Sequence, residues 1–164
     1  MERGSAMAGS NFLLTMKLVR QGTVIGSSKK KEGDLDYSKG MECHGFAYPV
    51  LTQIDPSSGP PTGKRKHSPI VIRREVDAAS PKLLQALATN EGFKTATLSF
   101  NRIGPDGKPV LARTIELTNG VIVHYAIRPA KDSGGKRYQD VTLAYEGLLV
   151  NGIPDGIIQH SYLP

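Results

Sequence analysis

Lys94-Thr95-Ala96-Thr97-Leu98-Ser99-Phe100-Asn101-Arg102-Ile103 runs straight into Gly104-Pro105-Asp106-Gly107. Ala96, Leu98 and Phe100 alternate with Thr95, Thr97 and Ser99. A period of two is that of a half-buried strand, since successive side chains point to opposite faces. Gly104 to Gly107 then reads as a hairpin turn: proline fixes one φ, and the Asp-Gly pair tolerates positive φ. Val110 to Leu117 is the return strand. Asn119-Gly120 offers a second turn or a bulge before the strand Val121 to Ile127. Lys131 to Arg137 (KDSGGKR) is a flexible loop. Tyr138 to Val150 is the last strong strand, with Val141, Leu143, Tyr145 and Leu149 set against Thr142 and Glu146.

Toward the N-terminus the pattern stays extended with one exception. Ser80 is a natural N-cap and Pro81 fits the first helical position, where its missing N–H is no loss. A short α-helix over about 80–90 follows, ended by Asn90 or Gly92. Leu83, Leu84 and Leu87 give it a narrow apolar face. Ile70 to Val76 is a strand with Ile70, Ile72 and Val76 on one side and Arg74 interrupting. Phe12 to Val19 is the first strand, with Phe12, Leu14, Met16 and Leu18 on one face. Met41 to Ile54 is extended, with Pro49 marking a bulge or an edge.

Two segments, 21–40 and 55–69, read as long loops. The second, DPSSGPPTGKRKHSP, carries enough proline and glycine to forbid a helix or a central strand. So long a connection in a small domain is commonly functional, and it is the first candidate for an interaction arm. Residues 1–10 read as an appended leader, and 11–164 as a single domain. Short strands, one short helix and no βαβ rhythm give a mainly β fold, an antiparallel two-sheet barrel or sandwich. If such a barrel is not fully closed, its unpaired strand edges can join a neighbour.

The chain has 164 residues, with Lys+Arg 21 against Asp+Glu 15 and a net charge of +6. Lys29-Lys30-Lys31 and Lys64-Arg65-Lys66 account for the whole excess, and both runs lie among Gly, Ser and Pro. The length suits one domain. No apolar stretch approaches the roughly 18 residues of a membrane helix, so no membrane insertion is expected, and no basic start with an apolar h-region marks a signal peptide. One cysteine cannot form an internal disulfide.

The chemistry-bearing residues form no pattern. His44, His67, His124 and His160 are scattered, and Cys43-His44 are neighbours that a strand turns to opposite faces. No metal spacing, nucleophile elbow or phosphate loop is present, and Ser133-Gly134-Gly135 lacks the following helix of a phosphate cradle. No catalytic, metal-binding or cofactor-binding residue is assigned, and the protein is expected not to be an enzyme. The basic runs lack the interleaved aromatics of a nucleic-acid surface, so nucleic acid is not an expected partner.

Val76-Asp77-Ala78-Ala79-Ser80-Pro81-Lys82-Leu83-Leu84 resembles the helix start of the haemolysin-coregulated protein (Hcp) family, the tube proteins of bacterial type VI secretion. Met41-Glu42-Cys43-His44-Gly45-Phe46 is similar to a strand of that family, Ser133-Gly134-Gly135 to its glycine-rich loop, and Asp140-Val141-Thr142-Leu143-Ala144-Tyr145 to its last strand. Order and spacing agree from about Phe12 to Ile153. The chain departs in the first loop, Gly26-Ser27-Ser28-Lys29-Lys30-Lys31, where the family often has Gly-Glu-Ser and a histidine, and in lacking a tryptophan. The tail after Val150 is short, and no appended toxin domain is expected.

The resemblance implies a barrel with its helix on one side, homohexameric rings that stack into a tube, and a lumen that carries small effector proteins. It implies contractile sheath and spike proteins as partners. It also implies assembly in the bacterial cytoplasm, then expulsion to the extracellular space or a target cell without a cleavable signal. Within that frame the 55–69 arm is the expected subunit or ring-stacking contact, through Pro60, Pro61, Lys64, Arg65 and Lys66. A phage-type tail-tube protein, or a nucleic-acid-binding small barrel using the basic loops, are the alternatives.

Overall fold

The computed structural model describes residues 11–47, 50–54, 61–67, 69–129, 136–152 and 156–161. In chain order the strands are β1 (Phe12–Leu18), β2 (Gly22–Thr23), β3 (Lys31–Glu32), β4 (Leu35–Asp36), β5 (Met41–Cys43), β6 (Gly45–Ala47), β7 (Val50–Ile54), β8 (Pro61–His67) and β9 (Ile70–Glu75). The helix α1 (Ser80–Ala88) follows, then β10 (Gly92–Ile103), β11 (Pro109–Pro129), β12 (Arg137–Gly152) and β13 (Gly156–Ser161).

The strands pair antiparallel in the order β2-β1-β10-β11-β12-β9-β6. The barrel is closed by β5 and β6. They are one extended run broken at His44. β6 pairs with β9 through Phe46↔Ile72, while β5 pairs with β1 through Phe12↔Cys43. The break lets one short segment serve both ends of the sheet and close it.

Alternation in β1 holds as expected: Phe12, Leu14, Met16 and Leu18 are all buried. They meet Ala96 and Leu98 of β10, Ile70 and Ile72 of β9, and Leu143 of β12 in one continuous core. Each such side chain contributes on the order of 1.5–3 kcal/mol by leaving water. Phe12, Phe46 and Phe100 stack on one another within it, with centroids 4.8–5.7 Å apart.

Segment 21–40 is not one loop. β3 and β4 form a small hairpin, and a 3-10 turn (Tyr37–Lys39) follows it. Leu35 and Tyr37 bury against Leu13 in a second cluster.

Asn119-Gly120 makes no turn, and β11 runs through it. Ile115 and Leu117 face the core before this point and Ile122 after it, so the inward phase moves from odd to even positions. The same slip occurs in β12, where Leu148 rather than the expected Leu149 is buried, and in β10 between Phe93 and Ala96. Lys94, Asn119 and Glu146, one on each strand, are the exposed residues at this line. Asn119 adopts φ 51°, a conformation asparagine tolerates better than most residues. The sheet folds along this row, and Gly120 lets the Phe93 ring and the Ala144 carbonyl approach closely.

The helix lies where the sequence places it, with a different cap. Ala79 occupies the N-cap position and makes no side-chain cap bond. Asp77 Oδ1 instead accepts from the Ala79 N–H at 2.9 Å, and Ser80 Oγ accepts from the Asp77 N–H at 2.9 Å. The helix ends as expected at Asn90, φ 55°. There the Glu91 N–H bonds to the Ala86 carbonyl and the Asn90 N–H to that of Leu87, the pairing of a Schellman cap. Leu83 and Ala86 enter the core, whereas Leu84, expected on the apolar face, is 47% exposed.

Candidate functional site

The expected arm is in part a hairpin: β7 pairs antiparallel with β8 through Val50↔His67, Leu51↔Lys66, Thr52↔Arg65 and Ile54↔Pro61. The irregular loop expected over 55–69 is therefore corrected for 61–67. Pro61 opens the strand, a position where its missing N–H is tolerated, and the rest of the strand contains no proline. Pro61, Lys64, Arg65 and Lys66 are thus brought together on one strand; Pro60 lies outside the described residues, as does 130–135 of the glycine-rich loop. The β7–β8 ribbon is a separate two-stranded sheet.

A second polar feature sits on the outer face of the barrel. Arg73, Asp140 and Ala126 stand opposite one another on β9, β12 and β11. Their neighbours Arg74 and Gln139 are fully buried on the inner face. Asp140 accepts from Arg73 through Nε at 2.9 Å and Nη2 at 3.2 Å, and Arg128 Nε lies 2.9 Å from its other oxygen. The Arg73 hydrogen bonds hold the Asp140 carboxyl below its ordinary range against the upward push of burial, and Arg128 adds to the effect. A cavity of about 300 Å³ beside this cluster is lined by His44, Gly45, Ala47 and Val71 as well as Arg73 and Asp140. Sequence reasoning noticed Asp140 only within a motif and missed both arginines. The available signal was an arginine at an outward-facing strand position.

Beneath the outer face, Arg74 is buried and its Nη2 lies 2.7 Å from Asp77 Oδ1. Asp77 also accepts from the Ser27 N–H at 2.8 Å, while Ser27 Oγ accepts from the Ala78 N–H. Burial pushes the Asp77 carboxyl up, but Arg74 and the Ser27 and Ala79 amides outweigh it and hold it low. The Gly26-Ser27-Ser28 loop is thereby tied to the helix start. Cys43 is buried, and desolvation pushes its thiol up to about 12 despite nearby Arg74. His44 turns the other way, its Nδ1 3.1 Å from Asn11 Oδ1, and burial lowers its pKa. Among the described residues no group of three or more His, Cys, Asp or Glu could hold a metal ion.

The fold is thus a closed antiparallel barrel with one helix and a separate two-stranded ribbon. Residues 16–151 match the family described as type VI secretion system effector, Hcp, and the chain belongs to that family. It is 36% identical over 91 residues to the "Major exported protein" of Pseudomonas aeruginosa, a match covering 53% of each chain, so the likeness spans about half of that relative. Among solved structures, an Hcp protein superposes with a TM-score of 0.82 at 17% identity, covering 93% of this chain and 99% of the other. The Hcp1 protein of E. coli EAEC 042 gives 0.78 at 23% identity, covering 95% and 100%. These identities speak for the fold alone, and the mainly β barrel with one helix is the fold expected from the sequence.

Proposed function

We propose that the protein is the tube subunit of a type VI secretion machine. Six copies form a ring, rings stack, and the lumen carries small effector proteins. Sheath and spike proteins surround and tip the tube, which leaves the cytoplasm by expulsion rather than through a cleavable signal. The family match over residues 16–151 carries this reading. A closed barrel supports it, because a ring needs a rigid subunit with two different contact surfaces. Residues 11–164 act as one unit.

The 55–69 arm is the subunit or ring-stacking contact, through Pro60, Pro61, Lys64, Arg65 and Lys66. Proline in the arm lowers the ordering cost of docking. Light scattering on a gel-filtration peak, with negative-stain images of the same fraction, tests the assembly. A six-fold ring with a central hole is expected; a monomer at high protein concentration overturns it. Lys64→Glu with Arg65→Glu and Lys66→Glu should leave rings intact and abolish their stacking.

A further inference from the structure

In the Arg73–Asp140–Arg128 cluster the carboxylate is buried while Arg73 and Arg128 are 55% and 62% exposed. One arginine suffices to neutralise Asp140; the second leaves a surplus positive charge on the sheet face. A guanidinium offers five N–H donors. Arg128 approaches Asp140 through Nε, and its side chain is 62% exposed, within reach of an incoming carboxylate. The adjoining cavity opens beside Arg73 and Asp140 rather than Arg128, with Phe46 among its walls.

The same outer surface carries a carboxylate of opposite need. Glu146 stands exposed on the row where the sheet folds, and among the described residues it has no hydrogen bond or ion pair within the chain. It lies further along β12 from Asp140, at a separation of roughly 20 Å for an extended strand, too far to pair within one subunit. Glu116 is also unpaired among the described residues, but it is only half-exposed between the buried Ile115 and Leu117.

We propose that the Arg73–Asp140–Arg128 cluster of one copy docks Glu146 of the next. This deepens the ring reading and rests on it. Two different patches of one chain that meet copy to copy make a heterologous contact, the kind that closes into a ring when the rotation allows.

Sedimentation velocity and native mass spectrometry of the full chain test this, with circular dichroism melting to confirm that each variant is folded. Arg128→Glu and Glu146→Arg should each raise the concentration for half-assembly by about tenfold or more, as loss of one partner of an interfacial charge pair does. The two reversals in one chain should restore assembly, and Glu116→Arg should assemble like the parent. If Arg128→Glu assembles like the parent, or the double reversal fails to restore assembly, the docking is overturned while the ring stands. A parent chain that stays monomeric overturns the ring itself.

Discussion

Replacing Gly120 by alanine isolates the packing at the folded row of the sheet. A Cβ at Gly120 would overlap the carbonyl oxygen of Ala144 and the ring of Phe93, whose Cε2 it would meet at 2.8 Å. Phe93 is 1% exposed and has nowhere to go. The carbonyl belongs to β12, where Ala144 is held in the ladder opposite Val121 of β11. Overpacking of a core costs about 1–3 kcal/mol and sometimes more, and two rigid neighbours put Gly120→Ala at ~3 kcal/mol or above by that scale. For a chain of this size that is a fall in Tm of roughly 6–12 °C.

Gly107→Ala is the control. Gly107 has φ +79° and no atom within 4 Å of an added Cβ, so only the left-handed backbone is penalised, at about 1 kcal/mol. Adding Phe93→Ala to Gly120→Ala should not restore stability, because the Ala144 carbonyl remains. The chain contains no tryptophan, so denaturant and thermal unfolding are followed by far-ultraviolet circular dichroism, at fixed protein concentration because assembly shifts Tm. If Gly120→Ala is no more destabilising than Gly107→Ala, the close approach at the folded row is refuted.

Asp77→Ala removes the helix cap and leaves the Arg74 guanidinium buried without its carboxylate, a loss of about 3–5 kcal/mol; Arg74→Met in the same chain should recover part of it, and equilibrium unfolding of the three variants decides. Cys43 should resist a thiol reagent in the native protein and react fully in denaturant, and rapid native labelling would contradict its burial. Asp77 and Asp140 are both held below their ordinary value of 3.8. The stability they contribute is therefore complete above about pH 4 and is lost as pH falls through their folded values. Asp140→Asn should flatten the acid limb of stability against pH, and an unchanged limb would show that the arginines do not hold Asp140 low.

Much of this architecture was legible because it is local. Alternation over Lys94 to Phe100 gave β10, and the turn at Gly104 to Gly107 appears with Gly107 at positive φ. Pro81 and Asn90 bracketed the helix. The candidate surface was only half legible. The basic run 64–66 stood out by composition, but its place on a paired ribbon did not, because pairing with Val50–Ile54 is a contact between segments. The Asp140 cluster was invisible because its arginines come from three strands' pairing, with Arg73 on β9 and Arg128 on β11 meeting on β12.

The sequence by itself determined the strand period, the helix limits and the absence of any catalytic spacing, since these depend on side chains a few residues apart. Only the tertiary structure decided how the barrel closes, why Leu148 and not Leu149 is buried, and that Asp77 rather than Ser80 caps the helix. In each case the outcome turns on a partner distant in the chain: β1 and β9 for the broken strand at His44, the shared fold of β10, β11 and β12 for Leu148, and Ser27 and Arg74 for Asp77.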